Sequence, residues 1–154
     1  TQKFPFDRLA EALDGHIAAG RIRDEVFAQI GYTAYRPRHY RAVRMLPPEE
    51  AEARLRGCSV LIAHGGTSTI VRALRLGKKV LVVPRQRRYG EHVDDHQLEI
   101  ARLFEDMRMV ECAYDTADIP EKLERLRAGT YAPFRFDNRA LLEAVADDLR
   151  RLLA

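Results

Sequence analysis

The sequence contains no tryptophan and only two cysteines, Cys58 and Cys112, among its 154 residues. Neither cysteine belongs to a CxxC pair or has a histidine at metal-binding spacing, which argues against a structural zinc motif and favours buried, reduced thiols of a cytosolic protein. No apolar run approaches the roughly 18 residues of a membrane span. The composition is that of a globular protein with room for one domain.

The excess of positive charge is small, with a formal net charge of +3 and an isoelectric point near 9.0. Arginine supplies most of it, often in short clusters such as residues 85–88. Clusters of this kind suit nucleic acid, an anionic membrane surface or a phosphorylated ligand, and any single one also occurs on an ordinary solvated surface. Charge alone therefore leaves the partner open.

Apolar strands alternate with amphipathic helices along the chain. The strands at 58–64 and 78–84 are too dense in apolar residues for a sheet with one solvent-facing side. Further strands are predicted at 26–30, 41–46 and 109–114, and helices at 7–20, 47–57, 67–77, 96–108, 119–129 and 138–154. This order predicts an α/β fold, a single Rossmann-like doubly wound parallel sheet with helices on both faces.

The pattern also predicts how the chain is organised. We expect residues 1–132 to form the sheet domain, and residues 133–154 to form a connector and a helix that packs on the domain or on a partner. Sheets of this type normally begin with a central strand, whereas this sequence begins at a helix entrance. A first strand is therefore expected to be missing before Thr1.

The segment LIAHGGTSTIVRAL, residues 61–74, joins an apolar strand to a helix through a glycine pair. Gly65 and Gly66 allow a sharp turn and a close approach to a ligand, and hydroxyl residues then occupy the first turn of the helix. Free N–H groups and the helix dipole favour an anion there, so the pattern suits a phosphate or diphosphate. A plain tight turn with a hydroxyl cap is the alternative. Neither GxxxxGK[ST] nor GxGxxG is present.

A second polar loop, residues 85–95, also follows an apolar strand and precedes a helix, whose first residues are His96 and Gln97. Ligands of doubly wound sheets bind beyond the carboxyl ends of the strands, so we expect this loop to meet the glycine turn. Its arginines suit a phosphate or a sugar carboxylate, and its acids suit a hydroxyl-rich ligand or the capping of the next helix. The segment HVDDH is also a possible metal site, although its spacing matches no common zinc pattern.

With both stretches in view, the chain resembles the carboxyl-terminal, donor-binding domain of family 28 glycosyltransferases, in particular the small separate subunits of the PssE and Alg13 type. The resemblance covers most of residues 1–110. It is carried by TQKFPFDRL, VFAQIGYTAY, LIAHGGTSTIVRALRLGKKVLVVPR and YGEHVDDHQLEIA. It implies the carboxyl-terminal half of a GT-B enzyme, in which two Rossmann-like domains face each other across a cleft.

The resemblance implies a catalytic, UDP-sugar-binding subunit of a two-chain glycosyltransferase that transfers a hexose to a lipid-diphosphate-linked saccharide in exopolysaccharide or glycolipid synthesis. The reaction would be inverting and independent of metals and cofactors, with the UDP-sugar as a substrate. The partner would be a membrane-anchored, acceptor-binding subunit of the PssD or Alg14 type, needed for activity, and nucleic acid would play no part. This subunit would hold the chain at the cytoplasmic face of the membrane. The alternatives are a non-catalytic nucleotide-sugar-binding or stabilising subunit and a metal-dependent hydrolase built on HVDDH.

The resemblance and the second loop together define the expected site. The glycine turn would surround the diphosphate, the His-Gln pair would hold the sugar, and the segment at 45–46 would pass beside the uracil. His64 and His92 are the candidates for a catalytic base. The residues expected to bind the UDP-sugar are Gly65, Gly66, Thr67, Ser68, Thr69, Arg85, Tyr89, Glu91, Asp95, His96, Gln97, Thr1, Gln2, Met45 and Leu46.

The sequence departs from the family pattern at two positions. Arg72 stands where many relatives carry the glutamate that binds the ribose hydroxyls, and Glu91 or Asp95 is then the candidate replacement. Ile100 stands where the family has an asparagine, which leaves a preference for an N-acetylhexosamine open. The arginine-rich loop would also fit a uronic acid donor.

Overall fold

The structure is a computed structural model that describes residues 4–135. The helices in this range are α1 (Asp7–Ala18), α2 (Pro48–Gly57), α3 (Thr67–Arg75), α4 (His96–Asp106) and α5 (Ile119–Ala128). The strands are β1 (Phe27–Gln29), β2 (Arg41–Val43), β3 (Val60–Ala63), β4 (Lys79–Val82) and β5 (Glu111–Cys112), and short 3-10 helices lie at Arg87–Tyr89 and Thr116–Asp118.

Every element predicted within residues 4–135 is present, although the strands are shorter than predicted. Thr1, Gln2 and the helix predicted at 138–154 lie outside the described residues. Across residues 4–135, none of the helices combines the length and apolar character needed to cross a membrane.

The predicted α/β fold with parallel strands is confirmed, but hydrogen bonds divide the described strands between two sheets where the sequence predicted one. One sheet pairs β1 with β2, and the other has the order β3-β4-β5. All pairs are parallel. Because β1 and β3 are not hydrogen-bonded to each other, the strands do not form a single continuous sheet.

Strand β4 is the central strand of the order β3-β4-β5, and both of its faces are covered. Leu81 packs in an apolar cluster with residues of α1 and α5, whereas Val80 and Val82 pack in a second cluster with residues of α3 and α4. Side chains of a strand alternate between its two faces, which is why neighbouring residues belong to different clusters. Each such side chain contributes about 1.5–3 kcal/mol on burial, so β4 anchors the loop that follows it.

The parallel register brings the ends of β3 and β4 to the same edge of the sheet. Ala63, the last residue of β3, pairs with Val82, the last residue of β4, and the Val83 amide still donates to the Ala63 carbonyl at 2.8 Å. The glycine turn and the polar loop at 85–95 therefore leave the sheet side by side, as the sequence predicts for ligand-binding loops.

Candidate functional site

The glycine turn after β3 is shaped by its contact with α4. Gly65 has φ +88°, and a Cβ atom there would lie 3.1 Å from Gln97 Cβ and 3.3 Å from the Gln97 carbonyl oxygen. At Gly66, a Cβ atom would lie 2.7 Å from His64 Cε1. Gly65 needs a left-handed backbone that other residues adopt at a cost, and both positions lack room for a side chain. Gly65 thus lets α4 approach the turn directly, and Gly66 makes room for the His64 ring.

The amino end of α3 presents backbone donors at this turn. No side chain caps the helix, whose N-cap residue is Gly66. The Thr69 amide donates to the Gly66 carbonyl at 3.1 Å, whereas the amides of Thr67 and Ser68 donate no hydrogen bond within residues 4–135. Both residues are exposed. Unpaired amides and the positive end of the helix dipole make this turn a suitable place for a phosphate group.

Gln97, the second residue of α4, ties the two loops together. Its Oε1 accepts a hydrogen bond from the Arg85 amide at 3.1 Å and lies 3.4 Å from His64 Nδ1. A backbone amide can only donate, so the atom facing Arg85 must be the oxygen. The side-chain nitrogen of Gln97 has no partner within residues 4–135 and remains a donor for a ligand.

The same contact defines the protonation of His64. Because Nδ1 faces an oxygen acceptor, it carries the proton in the neutral ring, and Nε2 holds the lone pair. Burial lowers the pKa of His64 below its usual 6.5, the charge of Arg85 lowers it further, and the Gln97 contact opposes this shift in part. His64 is therefore a neutral imidazole at pH 7.

This lowered pKa makes a testable prediction for folding stability. Above pH 6.5 His64 is neutral in the folded and in the unfolded chain, so it does not change the free energy of unfolding. Below pH 6.5 the unfolded chain takes up a proton before the folded chain does. The free energy of unfolding therefore falls until the pH reaches the pKa of His64 in the folded chain. Urea unfolding of the wild-type chain is expected to lose more stability between pH 7 and 5 than that of a His64→Gln variant. Parallel pH profiles of the two proteins would contradict this assignment.

Arg85 adjoins the junction of the two loops, where its amide donates to Gln97 Oε1. Its guanidinium donates to the Phe4 carbonyl at 3.2 Å and lies 5.1 Å from the ring centroid of Phe6. Its Nε is buried without a hydrogen-bond partner among residues 4–135. A buried donor of this kind is costly unless a ligand or water completes it, which supports the prediction that Arg85 binds an anion.

His92 and His96 occupy different surroundings from His64. His92 Nδ1 lies 2.7 Å from Asp94 Oδ1, and its ring is 5.4 Å from that of Phe4. His96 is exposed and lies 3.2 Å from Glu99 on its own helix. The His96 amide, 3.2 Å from Asp94 Oδ1, is the main cause of a lowered pKa of Asp94, which keeps that carboxylate ionised at the entrance of α4.

The remaining acids of the second loop, Glu91 and Asp95, bind groups of the protein itself. Asp95 Oδ1 accepts a hydrogen bond from the Arg87 amide at 2.9 Å. Glu91 is buried, forms an ion pair with Arg8 at 2.8 Å, and accepts a hydrogen bond from the Gln86 amide at 3.0 Å. Within residues 4–135, no group of three or more His, Cys, Asp or Glu residues is arranged to hold a metal ion.

The remaining predicted residues, Tyr89 on the second loop and Met45 and Leu46 after β2 of the other sheet, make few internal contacts. Tyr89 is half exposed, with the Arg8 and Arg88 guanidinium carbons 4.6 and 4.7 Å from its ring centroid. Met45 is exposed, and the Leu46 amide donates to Gln29 Oε1 at 3.0 Å beyond the carboxyl end of β1.

Arg72, the departure from the family pattern, forms an ion pair with Glu52 of α2. Glu52 also pairs with Arg56 at 2.8 Å. Neither Glu52 nor Arg8 was predicted from the sequence, because each reaches the site region from a helix distant in the chain. The sequence alone does not show that Glu52 pairs with Arg72 or that Arg8 pairs with Glu91, because these pairs form only when the helices pack.

Comparisons with known proteins agree with this geometry. Residues 2–150 match the family described as glycosyltransferase family 28 C-terminal domain. Six chains of solved structures match significantly. One, described as spinosyn forosaminyltransferase SpnP, is 25% identical with a TM-score of 0.53, and the match covers 77% of this chain and 28% of that one. The chain thus spans little more than a quarter of SpnP. No curated protein sequence matches it significantly.

The family match extends over nearly the whole chain and includes both loops at the sheet edge. The fold of the match in SpnP is that of one Rossmann-like half of a GT-B glycosyltransferase. The chain therefore belongs to the family of glycosyltransferase family 28 C-terminal domains, the donor-binding domains of these enzymes.

Proposed function

We propose that this domain binds a UDP-sugar and forms the catalytic donor half of an inverting hexosyltransferase. The observation that carries the proposal is the junction held by Gln97, where the uncapped end of α3 and the loop after β4 meet. Two free amides, a buried guanidinium donor and a free side-chain amide belong to the loops and helix ends that Gln97 joins. These are donors suited to a diphosphate and to sugar hydroxyls.

In the proposed mechanism, the amides of Thr67 and Ser68 and the Arg85 guanidinium stabilise the negative charge that develops on the diphosphate. The acceptor hydroxyl attacks the anomeric carbon from the face opposite the diphosphate, the bond to the diphosphate oxygen breaks, and UDP leaves with the electron pair. Donors fixed in place before the reaction lower the barrier because they need not reorganise. These groups give the domain its own means of stabilising the leaving group.

A base must take the proton of the acceptor hydroxyl. Both histidines predicted as catalytic direct Nδ1 at an oxygen, His64 at Gln97 Oε1 and His92 at Asp94 Oδ1, which leaves Nε2 as the acceptor when the ring is neutral. For His64, burial lowers the pKa and keeps the ring neutral at pH 7. A neutral imidazole with a free lone pair can accept a proton at pH 7. We assign His64 as this domain's first candidate base because it lies beside Gly66 of the glycine turn. His92 and the acceptor half are the other possible sources of the base.

The acceptor half is proposed to be a separate, membrane-anchored subunit of the type that the sequence resemblance implies. A GT-B cleft needs two domains, and the resemblance to the PssE and Alg13 type implies that the second domain is a separate chain. Its substrate would be a lipid-diphosphate-linked saccharide at the cytoplasmic face of the membrane. In that complex the glycine turn would face the acceptor across the cleft.

One observation favours the alternative of a non-catalytic nucleotide-sugar-binding or stabilising subunit. Arg72, where relatives carry an acid for the ribose, is ion-paired with Glu52. Reconstitution with the acceptor subunit separates the two functions. A Gln97→Ala variant is expected to abolish turnover in an intact complex if the domain is catalytic, and full turnover of that variant would favour the alternative.

The direct test of donor binding is calorimetric titration of the purified chain with UDP. We expect saturable heat with a dissociation constant in the micromolar to millimolar range typical of nucleotide sites. An equimolar titration with uridine is the matched control, because it lacks the diphosphate that the α3 amides and Arg85 would bind. Absence of saturable heat at millimolar UDP would contradict the proposal.

A further inference from the structure

Arg8 of α1 reaches across to the loop that follows β4. Its Nε and one terminal nitrogen donate to the two carboxylate oxygens of Glu91 at 2.8 and 2.9 Å, and the terminal nitrogen also donates to the Pro84 carbonyl at 3.1 Å. The side chains of Arg8 and Glu91 are 18% and 6% exposed. A two-point contact of this kind fixes direction as well as distance.

These contacts hold both ends of the segment between Pro84 and Glu91. Pro84 precedes the 3-10 turn at Arg87–Tyr89 and Glu91 follows it, so one guanidinium joins the start of the loop to its end. Glu91 Oε2 also accepts a hydrogen bond from the Gln86 amide at 3.0 Å. Helix α1 thus sets the shape of a loop that lies more than 70 positions away in the chain.

The same loop carries the donor-site residues. Arg85 lies next to Pro84, and its amide is the group that Gln97 holds. The Arg8–Glu91 pair also lines a hollow of about 620 Å³ beside α1.

We propose that Arg8 is a positioning residue for the donor site: through Glu91 and Pro84 it holds the 85–95 loop so that Arg85 and Gln97 face the glycine turn. Arg8 does not touch the donor itself. Glu91, expected from the sequence to contact the donor, acts in this proposal through Arg8. The proposal rests on the function proposed above.

A purely structural pair and a positioning pair predict different results. If the contact only stabilises the fold, an Arg8 variant loses thermal stability but binds UDP normally while it is folded. If it positions the loop, the folded variant binds UDP more weakly. The readout is therefore the dissociation constant for UDP, measured well below the unfolding midpoint that circular dichroism gives for each variant.

The experiment titrates UDP into wild-type, Arg8→Met, Arg8→Lys and Glu91→Gln chains. Arg8→Met is expected to weaken UDP binding by about tenfold, as for other residues that act on a site without contacting its ligand. Arg8→Lys keeps the charge but loses the two-point contact, so its affinity is expected to be intermediate. The double variant Arg8→Met/Glu91→Gln is expected to lose no more affinity for UDP than the weaker-binding of the two single variants, because both substitutions break the same Arg8–Glu91 contact.

The matched control is Leu126→Ala on α5, a fully buried residue whose truncation destabilises the core and is expected to leave UDP affinity unchanged in the folded chain. Wild-type affinity in the folded Arg8 and Glu91 variants would overturn the positioning role while leaving the proposed function intact. Failure of the wild-type chain to bind UDP would overturn both. If Arg8→Met does not fold, Arg8→Lys and Glu91→Gln carry the test.

Discussion

Replacing Gly65 with alanine is expected to weaken UDP binding by more than about tenfold and to remove roughly 2–4 kcal/mol of folding free energy. The backbone at Gly65 is left-handed, at φ +88°, and the new methyl group would lie 3.1 Å from Gln97 Cβ. Relief of this contact requires α4 to move away from the turn. That movement separates Gln97 from His64 and from the Arg85 amide, so stability and binding fall together.

Gly77→Ala provides the matched control for this change. Gly77 follows the end of α3 and also has a left-handed backbone, at φ +66°, but a Cβ atom there would meet nothing within 4 Å. The substitution is expected to cost about 1–2 kcal/mol from backbone strain alone and to leave UDP affinity unchanged. Urea unfolding and calorimetry measure the two effects. Equal losses of affinity in both variants would show that strain, and not the Gly65–Gln97 contact, is responsible.

Replacing Arg85 with methionine is expected to weaken UDP binding by about 10- to 100-fold. The buried guanidinium presents an unpartnered Nε within residues 4–135, and a hydrogen bond from a charged donor to a phosphate contributes about 1.5–3 kcal/mol. Methionine has a similar length and is expected to fill much of the same space beside Phe6. The loss should therefore reflect the missing charge and donors.

Arg87→Met removes the same formal charge from the same loop at an exposed position. It is expected to change UDP affinity little, and that small effect should disappear in high salt, because exposed charges are screened by salt. Calorimetry at low and high salt distinguishes the two variants. If both lost affinity equally, net charge rather than the position of Arg85 would control binding.

Much of the site could be predicted because its signals are local in the sequence. A strand, a glycine pair and a helix start within a few residues predict the uncapped turn that the structure shows after β3, and parallel connectivity places the next loop beside it. The apolar density of residues 78–84 likewise predicts the central strand that the structure shows as β4, with Val80, Leu81 and Val82 fully buried.

The features that the sequence could not supply depend on packing between distant segments. A loop acid such as Glu91 has the same pattern whether it faces a ligand or a buried arginine, and only the position of α1 shows that it meets Arg8. The pairing of Arg72 with Glu52 depends in the same way on the approach of α2 and α3. The division of the strands into two sheets depends on which strands are hydrogen-bonded to each other, and the pattern of apolar residues does not show this.

The central claim is that the free amides at the start of α3 receive the diphosphate of a UDP-sugar. The most direct measurement is an amide-resolved NMR titration of the isotope-labelled chain with UDP. We expect the largest saturable shifts at the amides of Thr67 and Ser68 and at the side-chain amide of Gln97, with α5 unaffected. Saturation by UDP that leaves these three signals in place would contradict the account.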